Sequence, residues 1–107
     1  MNIPVPVKQE KAMELHHEYK EKMAAQLKEW NAQISLLEAK LDGVAADMKI
    51  LRMEEIRGLR ARQHAAAAKM NELGKASGEA WEQIRVTADK LWDELKQGLS
   101  DVQSKFK

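Results

Sequence analysis

Glu14-x-x-His17 is the spacing in this chain that comes closest to metal chemistry. An i, i+3 carboxylate and imidazole share one helix face, as in the ligand pairs of carboxylate-bridged di-iron bundles. A working centre needs a second such pair and two further carboxylates. Besides His16 and His17 the chain holds only His64, and Ala61 stands three residues before it. We therefore expect no metal site. His17 reads as a surface residue and His16 as a wet seam position, where an imidazole titrating near neutrality would make association pH-sensitive. Cysteine is absent, which excludes disulfides, thiolate metal sites and thiol catalysis together. The serines and Thr87 lack a paired base. The glycines at 43, 58, 74, 78 and 98 form no phosphate-cradling loop. We expect neither an enzyme nor a cofactor.

A second chemistry would be anion recognition. Arg52, Arg57, Arg60, Arg62 and Lys69 are offset between residues 52 and 69 only by Glu54 and Glu55. Such a cluster can meet phosphate or an acidic partner. No aromatic residue stands beside it to stack on bases, so nucleic acid is disfavoured. The simpler reading is a solvated face, paired in part with Glu82, Asp89, Asp93 and Glu94.

The elements that carry these residues are helices. Both prolines, Pro4 and Pro6, precede the first helix signal. They alternate with Ile3, Val5 and Val7, which predicts an extended arm over residues 1–7. Strong helix formers then dominate. Met23, Leu27, Trp30, Ile34, Leu37, Leu41, Val44, Met48 and Leu51 are spaced alternately by four and three, a coiled-coil heptad seam. Backwards, the phase passes through Tyr19, His16 and Ala12. Beyond Leu51 it slips: Glu55 stands where an apolar residue is due, and the stripe resumes at Ile56 and Leu59, then Ala66, Met70 and Leu73. This is a stutter rather than a break. Gly74 is expected to end the helix in the left-handed conformation, and Ser77 to cap the next.

The last third repeats every eleven residues, AWEQIRVTADK at 80–90 and LWDELKQGLSD at 91–101. Eleven residues make about three helical turns, so Trp81, Ile84, Ala88, Trp92, Leu95, Leu99, Val102 and Phe106 return to one side. This stripe needs a surface to lie against.

The fold expected is all-α: one domain, residues 1–107, forming an antiparallel coiled-coil helical hairpin. An arm (1–7) leads into a long helix (8–73), a turn (74–78) and a shorter second helix (79–105). The long helix would run roughly 100 Å and the second only about 40 Å. Met23, Leu27, Trp30, Ile34, Leu37 and Leu41 would lie uncovered and hold a homodimer together. The alternative breaks the chain at Asp42-Gly43 and closes three helices as a bundle. Its length and its tryptophans in the third helix resemble a spectrin-type repeat.

The run KMAAQLKEWNAQI at 22–34, the stretch LRARQHAAAAKMNELGKASGEAWEQI at 59–84, LWDELK and the final SKFK resemble a family of small bacterial coiled-coil proteins of about 100 residues associated with stress responses. The similarity covers most of the chain beyond residue 18. The proline arm and the His16-His17 pair depart from the family pattern. The resemblance implies a helical hairpin with a stress role, and carries no catalytic residue.

No apolar run approaches the ~20 residues that span a bilayer, and the N-terminus lacks a secretory apolar core. We expect a soluble cytoplasmic protein. Its expected function is structural: protein interaction through an apolar seam, by helix-in-groove packing. The second reading is a peripheral lipid or membrane-surface binder of the apolipoprotein type. It would present Trp81, Ile84, Trp92, Leu95, Leu99 and Phe106 to lipid.

Overall fold

The computed structural model describes the backbone of residues 7–106 and the side chains of residues 15–106. The arm expected over 1–7 lies outside this range except for Val7, which opens the first helix. Three long helices follow one another: α1 (Val7–Lys40), α2 (Ala46–Lys75) and α3 (Gly78–Ser104). A short 3-10 turn, Leu41–Gly43, joins the first two. The chain is all-helical, but the single helix expected over 8–73 is two helices folded back on each other.

The reversal uses five residues, 41–45. Leu41–Gly43 form one tight turn, closed by the Val44 N–H donating to the Leu41 carbonyl at 3.1 Å. Val44 and Ala45 then run extended, with ψ of 137° and 144°. Asp42-Gly43 is a turn dipeptide by chemistry. The heptad count disguises the turn, because Leu41 and Val44 keep their spacing across it. Burial decides the outcome. A continuous helix would leave Trp30, Ile34 and Leu37 in water, whereas reversal covers them within one chain.

The second turn also shifts from its expected place. α2 continues through Gly74 to Lys75, and the extended residues are Ala76 and Ser77. The left-handed glycine is Gly78, at φ +61°, not Gly74. Ser77 occupies the N-cap position of α3 but makes no side-chain capping bond.

The three helices form a bundle of 70 × 19 × 17 Å. Its radius of gyration is 18.2 Å, against about 13 Å for a compact chain of this length. α1 and α3 run parallel, with α2 antiparallel to both. The core takes Trp30, Ile34 and Leu37 from α1, Ile56, Leu59, Ala66 and Leu73 from α2, and Trp81, Ala88, Trp92, Leu95, Leu99 and Val102 from α3. Gly98 leaves room for side chains of α2 against α3: a Cβ placed there would meet Leu59 Cδ2 at 3.2 Å. The backbones of α2 and α3 lie close along the longest stretch, those of α1 and α2 along less, and α1 and α3 stand farther apart, bridged by aromatic side chains.

Candidate interaction surfaces

The residues expected to form an uncovered seam lie inside the monomer. Ile34 is fully buried, Trp30 and Leu37 nearly so, and Met23, Leu27 and Leu41 pack against the same core while half-buried. Their expected exposure is thereby corrected: α2 and α3 cover the strip that a long helix would have left open. The α3 stripe also turns inward. Trp81, Trp92, Leu95 and Leu99 are buried, and Ile84 and Phe106 half-buried. Presenting them to lipid requires the bundle to open.

The stutter has a consequence that the heptad reading missed. α2 packs through Ile56, Leu59, Gln63, Ala66, Met70 and Leu73, alternately three and four apart. Met48 and Leu51, expected in the seam, fall outside this phase and are 37% and 48% exposed. Ile50, at 70%, and Met53, at 42%, are exposed as well. The first turns of α2 therefore form an apolar collar beside the 41–45 turn. The signal was present in the sequence: apolar residues at 50 and 53 that serve no heptad position.

Glu55 explains its own place in the stutter. It accepts from Arg52 Nη1 at 2.5 Å and from Lys105 Nζ at 3.0 Å, tying α2 to the end of α3. Partial desolvation pushes its pKa up, but the hydrogen bonds and charges of Lys105 and Arg52 prevail and hold it below the usual carboxylate range.

The basic cluster is spent largely on internal stitching. Arg60 joins α2 to α1 through Asn31 at 2.5 Å, Ser35 at 3.0 Å and the carboxylate of Glu38. Arg62 crosses Gly98 to donate to the Glu94 carbonyl at 3.4 Å. Lys69 pairs with Glu72 on its own helix. The arginines thus splay to both flanks of α2 instead of forming one basic face. The acids expected to receive them are partly claimed elsewhere: Arg85 binds Glu82 and Asp89.

The thin α1–α3 seam is closed by two polar clasps. Tyr19 donates to Asp89 Oδ1 at 2.5 Å, and Gln103 donates to Gln33 at 3.0 Å. His16 stacks on Trp81 at 3.6 Å, with the rings inclined by 7°, next to the first clasp. His16 is thus a packed residue, as a seam position should be. His17 stands on the surface with Glu21 at 3.0 Å. Among the described residues no group of three His, Asp or Glu side chains converges as metal ligands.

Between the clasps the seam opens into a groove of about 260 Å³, with Met23, Trp30 and Trp92 in its lining and Lys22 and Lys96 beside them. The Trp30 and Trp92 rings lie 5.8 Å apart and are inclined by 46°. The Trp92 indole N–H is buried without a hydrogen-bond partner. Sequence reading placed Trp92 on a stripe in need of cover and Trp30 on a seam expected to lie uncovered, and could not show that they meet.

Comparison with protein-family models, curated proteins and solved structures finds no match to this chain. Among the described residues no helix is long and apolar enough to cross a membrane.

Proposed function

We propose that this protein is a non-enzymatic helical interaction module that binds apolar segments of other proteins through the collar at the start of α2. The observation that carries the reading is the outward set Met48, Ile50, Leu51 and Met53, left exposed where the core phase of α2 changes. Scattered apolar residues on a surface need no explanation. Four within six positions ring the first turns of one helix, Met48 beside the end of α3 and Met53 beside α1, and concentrations of exposed apolar surface mark interaction sites. Two of the four are methionines, whose flexible thioethers adapt to varied partners. The stress role implied by the family resemblance fits such a surface, because heat or oxidation exposes apolar segments in other proteins. The homodimer contact expected at Trp30 and its neighbours is not part of this reading, since those side chains serve the monomer core.

The test is suppression of aggregation. A thermally unfolded model protein is followed by light scattering with and without the bundle. The wild type is expected to suppress scattering, and an Ile50→Glu/Met53→Glu variant of unchanged helix content to lose the effect. Equal scattering with wild type, variant and no bundle would sink the reading.

The lipid reading draws on a different observation, the thin α1–α3 seam, which is the natural line of opening. A tryptophan blue shift on adding vesicles would favour it over the collar reading.

A further inference from the structure

We propose that Met48 and Met53 are a paired oxidation site: a peroxide converts both thioethers to sulfoxides, which makes the collar polar and leaves the bundle folded. The chemistry stands on its own, and its regulatory meaning rests on the collar reading above.

Three observations converge. The first is position. Of the four methionines whose side chains are described, Met48 and Met53 are exposed, whereas Met23 and Met70 are half-buried and packed against the core. Susceptibility to oxidation follows exposure. The second is the surroundings. Met48 lines an open cavity of about 380 Å³ together with Lys40, Arg52 and Lys105, and Met53 one of about 240 Å³ with Arg57 and Arg60. Arg52, Lys105 and Arg60 already hold carboxylates. Lys40 and Arg57 join no ion pair among the described residues. A thioether is a weak acceptor and leaves such donors to water. A sulfoxide oxygen is polar and accepts from them, in a space that has room for it. The third is the share of the collar. Met48 and Met53 are two of its four apolar members, so their conversion removes half of what the surface offers an apolar partner.

The step balances with a peroxide as oxidant. The sulfur lone pair attacks one peroxide oxygen and an S–O bond forms as the O–O bond breaks. The leaving hydroxide takes the proton from the transferred oxygen and departs as water. Sulfur loses two electrons and the peroxide gains them. Sulfoxide reductases, one for each epimer, reverse the product at the expense of a thiol. A sulfoxide at Met23 or Met70 would instead set a polar group against the core and loosen it.

The test treats the full chain with limiting hydrogen peroxide. Met23, Met48, Met53 and Met70 each fall on a separate tryptic peptide, so mass spectrometry follows the gain of one oxygen, about 16 Da, site by site. Met48 and Met53 should be converted while Met23 and Met70 stay reduced. The oxidised protein should elute earlier in hydrophobic-interaction chromatography, with its thermal midpoint moved by less than about 4 °C. A Met48→Leu/Met53→Leu variant should keep its retention after the same treatment. Met1 and Met13, outside the described side chains, are common to both proteins and cancel in this comparison. In the light-scattering assay the oxidised wild type should lose its suppression, the treated leucine variant should keep it, and reductase treatment should restore the wild type. Oxidation of Met23 or Met70 as fast as the collar pair would overturn the proposal, as would a larger fall in the midpoint or an equal loss of retention in the variant. Suppression that survives full conversion of both sites would overturn it and leave the collar reading standing. If the untreated wild type suppresses nothing, the collar reading fails, and the peptide map and the chromatogram decide the oxidation site without it.

Discussion

Tyr19 and Asp89 meet at 2.5 Å across a gap of 70 residues in sequence, and Gln33 and Gln103 repeat the same offset two heptads later. One register therefore governs the parallel pair α1 and α3. Polar clasps and aromatic contacts share this seam, His16 and Tyr19 against Trp81 and Trp30 against Trp92, and the ionisable clasp makes it responsive to pH.

Alkaline pH tests the first clasp. Burial of the Tyr19 phenol, its hydrogen bond to Asp89 and the Asp89 charge raise its pKa well above the ordinary 10.0, against an opposing pull from Arg85. A raised folded value means stability that is fully present below the unfolded pKa and lost as pH rises through and beyond it. Denaturant unfolding should show falling stability above about pH 10. Tyr19→Phe should flatten that slope while lowering stability at pH 7 by about 1 kcal/mol.

Acid pH tests Glu55. Its folded pKa is depressed by Lys105 and Arg52, so its contribution is present above the usual carboxylate range and lost as pH falls through the lowered value. Glu55→Gln should cost about 1 kcal/mol at pH 7. Its difference from wild type should vanish in titrations carried well below pH 4.

Two glycines in helix interiors should respond in opposite directions to alanine. Nothing lies within 4 Å of a Cβ built at Gly58, so Gly58→Ala should raise stability by about 0.5–1 kcal/mol. At Gly98 the new Cβ would stand 2.2 Å from Arg62 Nη1 and 3.2 Å from Leu59 Cδ2. The guanidinium can swing away, but Leu59 is 1% exposed and held in the core. Gly98→Ala should therefore lose about 1 kcal/mol net, overpacking of ~1–3 kcal/mol outweighing the helix-propensity gain of ~1 kcal/mol. Paired thermal melts read both signs.

Trp30 separates a core from an interface. Trp30→Ala should destabilise by about 3–5 kcal/mol, with a midpoint independent of protein concentration. If the midpoint rose with concentration in wild type and not in the variant, Trp30 would belong to a dimer contact.

The 41–45 turn can be turned back into helix. Replacing Asp42, Gly43 and Val44 with alanine supplies helix propensity where the reversal now stands. The α1 seam would then have to find its cover on a second chain, a domain-swapped arrangement. Small-angle scattering should show a two-chain species at high concentration, with a length near 100 Å instead of the present 70 Å.

Helix content, the apolar stripe of α3 and the apolar seam of α1 were legible in the chain, because all three rest on local periodicity. The eleven-residue repeat placed Trp81, Trp92, Leu95 and Leu99 on one face, and that face is buried. The heptad run likewise identified Trp30, Ile34 and Leu37 as seam residues. Periodicity reports which side of a helix is apolar, but not what covers it. Two residues of a heptad seam keep their spacing whether a turn or a helix lies between them, so Gly43 stayed ambiguous until burial of the α1 strip was weighed in three dimensions. The exposure of Met48 and Leu51 likewise follows from the phase in which α2 meets two neighbours, which no single helix specifies. The meeting of Trp30 with Trp92, the clasps at Tyr19–Asp89 and Gln33–Gln103, and the open groove between them depend on the relative register of α1 and α3. That register is set by packing of both against α2, and so belongs to the tertiary structure alone.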